Sequence, residues 1–183
     1  MKKPILNKKY NALGNDTRYF VITGGRGSGK SFAITTFLAF LTFEQGHKIL
    51  FTRYTMISAA NSIIPEFLEK LELYGIMEHF RITKDEILNV STGSSILFKG
   101  IRTSAGNQTA ALKSISGITT WVLDEAEELV KEEGFVQSIE VRLTDGSICQ
   151  QVFRSSHAKR NYSALLLALY YQRQLLNQSL EQE

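Results

Sequence analysis

Gly24-Gly25-Arg26-Gly27-Ser28-Gly29-Lys30-Ser31 is the stretch on which the fold turns. It matches G-x-x-x-x-G-K-[ST] in full, the pattern of a loop that cradles phosphates. Glycines at these spacings let successive backbone N–H groups turn inward around phosphate oxygens. A helix opening just behind the loop adds its positive dipole end. Lys30 then reaches the β- and γ-phosphates, and the Ser31 hydroxyl holds Mg²⁺. The competing reading is a glycine-rich turn that binds nothing. The flanks decide against it. Tyr19-Phe20-Val21-Ile22-Thr23 is a short apolar, β-branched run, the pattern of a buried strand. Lys30 to Glu44 is apolar nearly all round, the pattern of a helix buried on several sides.

A loop of this kind needs an acid at the end of a neighbouring buried strand to hold Mg²⁺, with a second acid beside it to activate water. Trp121-Val122-Leu123-Asp124-Glu125 fits. Asp124 is placed at the strand's carboxyl end as the metal ligand, and Glu125 follows as the general base. Glu127 and Glu128 read as a solvated helix start.

Between and beyond these motifs, Lys48–Thr52 reads as a second strand and Ser58–Tyr74 as a helix closed by Gly75. Ile87–Val90 and Ser95–Phe98 read as an antiparallel hairpin. Glu132–Val141 and Tyr162–Leu176 read as helices. Strands alternating with helices predict an α/β fold of the P-loop type. The sheet is expected to be mainly parallel, with helices on both faces and one small antiparallel hairpin.

The bulk properties agree with one globular unit. The chain has 183 residues, 43% of them apolar and 21% charged. The longest nearly apolar run, Phe32 to Phe43, falls short of the ~20 residues that cross a bilayer. A lone cysteine, Cys149, excludes an internal disulfide framework and a cysteine-based zinc site. These features predict a cytosolic chain. Charge is uneven: residues 1–60 carry nine basic residues against two acids, and residues 124–140 carry seven acids against Lys131. The basic third suits a polyanion partner, although Lys2, Lys3, Lys8 and Lys9 also read as solvation of a mobile terminus.

Several segments together resemble one family. The loop with an arginine inside it is similar to the Walker A motif of tailed-phage terminase large subunits. Ile49-Leu50-Phe51-Thr52-Arg53 resembles the family's second strand, and Ser62-Ile63 fits the helix after it. Ser94 to Gly100 resembles its hairpin ending in Phe-x-Gly. Leu112-Lys113-Ser114-Ile115-Ser116-Gly117 resembles the lead into Walker B, and Thr120 to Leu129 resembles Walker B itself. The resemblance covers roughly residues 10 to 145. It implies an ATPase, an ATP phosphohydrolase that threads double-stranded phage DNA into a procapsid, with ATP and Mg²⁺ as cofactors. Its implied partners are DNA, a small terminase subunit and a portal protein, with a homo-oligomer as the active form. Its implied setting is the cytoplasm of a bacterial host, away from membranes. Arg26 is implied as γ-phosphate sensor or arginine finger. Arg53 is implied to face the same cleft, against the alternative of a strand-end salt bridge. Arg18 and Asn11 would border the base, and Lys99, Arg102 and Lys113 would form a DNA-backbone surface or an ordinary solvated face.

The departures shape the remaining expectations. The family's Asn-Pro after Walker B does not occur anywhere in the chain. The expected division is an ATPase core over 1–147 and a divergent tail over 148–183, helical at 162–178 and poorly packed, without the family's nuclease domain. Two other readings stay open here: a nucleotide-binding remnant without turnover, and a P-loop ATPase of helicase or recombinase type.

Overall fold

β-Branched and aromatic runs build the sheet, and their pairing sets where the motifs lie. In the computed structural model the described residues are 5–15, 19–25, 27–102, 112, 114–126, 136–142, 148–154 and 163–169. The strands are β1 (Tyr19–Gly24), β2 (Lys48–Thr55), β3 (Phe80–Ile82), β4 (Glu86–Asn89), β5 (Ser95–Arg102), β6 (Thr120–Leu123), β7 (Val136–Arg142), β8 (Ile148–Arg154) and β9 (Ser163–Leu169). Helix α1 spans Lys30–Leu41. A short α2 (Met56–Ser58) and a π-helical turn (Ala59–Ile63) lead into α3 (Ile64–Leu73). A 3₁₀ helix over Lys8–Gly14 precedes β1.

Seven strands form one sheet in the order β1-β9-β6-β2-β5-β4-β3, and β7 pairs with β8 apart from it. β2 is parallel to both β5 and β6. The other four pairings in the large sheet are antiparallel. The sheet is therefore mixed, where a mainly parallel one was expected. Its centre is still α/β in character: β2, β5 and β6 run parallel, and β1 points the same way because it reaches β6 through one antiparallel strand.

Both long helices cover one face. Ile34 and Leu38 of α1 and Phe67 and Leu71 of α3 pack on Ile49, Phe51, Ile96, Phe98 and Val122. Phe51, Phe67 and Phe98 meet with ring centroids 5.5–5.9 Å apart, a spacing at which edge-on and tilted rings attract. Leu50, Trp121 and Leu123 point to the opposite face and pack with Leu112, Ile118 and Ala126. Among the described residues, this second face is covered by Leu112, Ile115, Ile118 and Ala126 rather than by either long helix.

Two helices expected in the later chain are corrected. Val136–Arg142 is a strand, not part of a helix. Its β-branched Val136, Ile139 and Val141 favour a pleated surface, and β8 supplies the partner. β8 pairs antiparallel with β7 and adds no parallel strand to the large sheet. Ser163–Leu169, expected as helix, is a strand hydrogen-bonded on both sides, to β1 and to β6. Ala164-Leu165-Leu166-Leu167-Ala168-Leu169 is a continuous apolar run, which fits a buried strand as well as a buried helix. Rows of backbone N–H and C=O groups on β1 and β6 demand a partner between them, and that requirement selects the strand. A segment assigned to a separate tail thus completes the sheet. Residues 170–178 of the expected helix lie outside the described residues.

Candidate functional site

β1 delivers the glycine-rich loop. It ends at Gly24, and α1 begins at Lys30 with Gly29 as its N-cap in the left-handed region (φ 78°). Gly27 is also left-handed (φ 73°). A side chain at either position would be strained, which explains glycine there without any steric neighbour. The Ser28 N–H donates to the Gly25 carbonyl (3.3 Å), forming a turn inside the loop, and the Ala33 N–H donates to the Gly29 carbonyl (3.0 Å), opening the helix. The Lys30 ammonium folds back over this loop. It donates to the Gly24 carbonyl, the Gly25 carbonyl (3.1 Å) and Ser28 Oγ (3.2 Å). Ser31 is exposed beside it, in the first turn of α1, where backbone N–H groups have no partner within the helix. Arg26 lies outside the described residues, as do Arg18 and Lys113.

β6 delivers the acids. The Trp121 indole N–H donates to Thr52 Oγ1 (2.9 Å), which donates to the Val122 carbonyl (2.8 Å), so β2 and β6 are locked in register. The ladder continues one residue past β6: the Asp124 N–H donates to the Thr52 carbonyl (2.9 Å). Glu125 then takes a positive φ of 50°, rare for a residue with a side chain. That turn sends its carboxylate to Arg53. The Arg53 guanidinium pairs with Glu125 through Nη2, stands 3.8 Å from Asp124 Oδ2 through Nε, and donates to Ser62 Oγ through Nη1. One cation at the end of β2 therefore ties both acids to the π-helical turn. The strand-end ion pair and the cleft-facing arginine, posed as alternatives for Arg53, are here the same arrangement.

Burial dominates the electrostatics. The Asp124 side chain is only 13% exposed. Loss of water pushes its carboxyl up to about 6; Arg53 pulls the other way, and the neighbouring Glu125 charge adds to the rise. Glu66, in the first turn of α3, is also raised, again chiefly by burial, with Lys70 and Arg53 opposing. The sequence reading passed over Glu66 because an acid in a helix's first turn has an ordinary explanation. It also passed over Lys9 and Tyr10. Both donate to the Ser28 carbonyl at 2.9 Å, so Lys9 does more than solvate the terminus. No motif flags them; the contact depends on how the 3₁₀ helix docks.

The two halves open on one edge of the sheet. Val21 pairs with Leu166, and Leu166 pairs with Leu123. The same row thus crosses β1, β9 and β6, and β1 and β6 point the same way. Two strand spacings separate them, about 10 Å between backbones. Lys30 and Ser31 follow the end of β1, Asp124 and Glu125 follow the end of β6, and Arg53 follows Thr52, the partner of Leu123 on β2. The proposed DNA surface is less coherent: Lys99 is paired with Asp85 at 2.7 Å. No helix among the described residues is long and apolar enough to cross a membrane.

A model of the phage terminase large subunit family matches residues 16–165. The match runs some way past residue 145, where the sequence reading had ended the resemblance, and takes in β7, β8 and the start of β9. No curated protein matches the chain.

Proposed function

The chain belongs to the phage terminase large subunit family, and on that premise we propose that it is the ATP-binding and ATP-hydrolysing module of a phage DNA-packaging motor. The observation that carries the reading is the opening of the glycine loop and the Asp124–Glu125 pair on one sheet edge, two strands apart. Lys30 is the group that neutralises the β- and γ-phosphates, exchanging its loop carbonyls for phosphate oxygens. Glu125 is the base that orients and deprotonates the attacking water. Arg53 holds Glu125 until substrate is in place and offsets the crowding of two carboxylates. Gly24, Gly25, Gly27, Ser28 and Gly29 supply the backbone of the cradle, and Arg26 completes the positive lining as sensor or finger.

Ser31 and Asp124 suit Mg²⁺ chemically. Both offer hard oxygen donors, and Mg²⁺ in such sites takes one or two protein oxygens with phosphates and waters. When bound, the ion would neutralise charge on the transferred phosphoryl group. The partners proposed are double-stranded DNA, a small terminase subunit, a portal protein and further copies of this chain.

The test is phosphate release from Mg²⁺-ATP, with and without double-stranded DNA, in wild type and Lys30→Ala. Turnover by the wild type and loss of ATP binding in the variant are expected, with the unfolding midpoint little changed because Lys30 faces the loop rather than the core. Equal ATP affinity in the two proteins would refute the assignment.

A further inference from the structure

The 3₁₀ helix before β1 bears directly on the phosphate loop. Asn7 caps it, accepting the Lys9 N–H at 3.2 Å, and Tyr10 and Leu13 sink into the main core at 7% and 3% exposure. The segment is thus anchored independently of the loop. From it, Tyr10 Oη and Lys9 Nζ both donate to one acceptor, the Ser28 carbonyl, each at 2.9 Å. The Lys9 ammonium also lies over the Tyr10 ring, 4.8 Å from its centroid, so the two donors brace one another.

The choice of acceptor matters. Ser28 sits between Gly27 and Gly29, the two left-handed residues of the loop. Glycine on both sides leaves the intervening peptides free to rotate, because no side chain penalises either orientation. A trans peptide is planar, and its C=O and N–H point in opposite directions. Fixing the Ser28 carbonyl toward the 3₁₀ helix therefore fixes the Gly29 N–H away from it. A phosphate loop works through such N–H groups, and a misdirected peptide presents a carbonyl to the anion instead.

We propose that Lys9 and Tyr10 are positioning residues that set the Ser28–Gly29 peptide so that the Gly29 N–H faces the nucleotide phosphates. The inference rests on the nucleotide-binding reading above and adds a device to it. The 3₁₀ helix pre-orders the loop, so less ordering remains to be done when the anion arrives. Neither side chain needs to touch the nucleotide, and their effect falls on affinity and KM rather than on the chemical step.

The experiment compares wild type with Tyr10→Phe, Lys9→Met, the double variant and Lys9→Arg. Affinity is read with a fluorescent ATP analogue in Mg²⁺, and amide exchange across residues 24–31 is read without nucleotide. Losing two hydrogen bonds, one of them charged, corresponds to roughly 10-fold weaker binding in the double variant. The single variants fall between, kcat stays within about 2-fold, Lys9→Arg recovers most of the affinity, and loop exchange rises in the double variant. Binding by the double variant within about 2-fold of wild type would overturn the proposal, as would unchanged loop exchange. A wild type that binds no nucleotide defeats the reading beneath it and the proposal's link to phosphates. In that case loop exchange alone decides whether the pair holds the peptide.

Discussion

Asp124→Asn isolates the electrostatic cost of the site. Burial raises the Asp124 carboxyl from an ordinary 3.8 to about 6 in the folded chain. The side chain is 13% exposed, so solvent screening discounts the effect little. At 1.36 kcal/mol per pH unit, the shift corresponds to about 3 kcal/mol. The sign follows from proton counting. Between about pH 4 and pH 6 the native state keeps a proton that the unfolded chain has released. Stability therefore falls as pH rises through that window, and the full cost stands above it. Asparagine carries no charge at any of these pH values. The difference in unfolding free energy, variant minus wild type, should grow by about 3 kcal/mol from pH 3 to pH 7 and then level off. Titrating groups remote from Asp124 cancel in the difference, whereas Glu125 and Glu66, which raise Asp124, are themselves relieved in the variant. Urea unfolding followed by Trp121 fluorescence reads it directly, because Trp121 is the only tryptophan and is buried in β6. A difference that stays flat with pH, or shrinks as pH rises, would refute a desolvated carboxylate at this position.

Glu125→Gln should bind ATP normally and lose roughly 10²–10⁴-fold in turnover, the usual worth of a general base; calorimetry and phosphate release together check it, and undiminished turnover would move the base elsewhere. Arg53→Ala removes the cation that lowers Asp124, so the carboxyl should titrate still higher, which a pH series of the same unfolding experiment detects as a shifted window. No upward movement would show that the ion pair contributes nothing. Gly100→Ala should cost ~3 kcal/mol or more in thermal or urea unfolding. Its Cβ would stand 2.9 Å from the Thr55 carbonyl carbon and closer still to the Met56 nitrogen, both backbone atoms that cannot swing aside. A variant as stable as wild type would mean that β5 and α2 do not approach as described.

The parts of the molecule legible in the sequence are those where local chemistry and global fold agree. The glycine loop announces β1 before it and α1 behind it, because a left-handed turn into a helix needs those residues in that order. Trp121-Val122-Leu123 followed by two acids announces a buried strand and its exit. Even Gly100, noticed only as part of a Phe-x-Gly pattern, has a physical reason in the approach of α2. Long-range contacts were less accessible. The docking of Tyr10 on Ser28 spans 18 residues and depends on the core that Leu13 joins. The grip of Arg53 on Glu125 depends on a positive φ that composition does not encode.

The segment around β9, expected as a helix, is the strand that lies between β1 and β6. An apolar run such as Ala164–Leu169 satisfies helix and strand patterns alike, so its fate is decided by the vacancy it fills between β1 and β6. Strands in a sheet lie 4.7–4.9 Å apart whether the pairing is parallel or antiparallel. The spacing of β1 from β6 across the sheet therefore depends on how many strands intervene, not on which way they run. One strand of either direction sets β1 and β6 about 10 Å apart across the sheet. With no strand, the two motifs would crowd. With two, β1 and β6 would lie about 14 Å apart. The inserted strand thus sets the spacing of β1 from β6 through its presence alone, so the ends of both strands keep their places in the sheet even when the filler between them is misassigned.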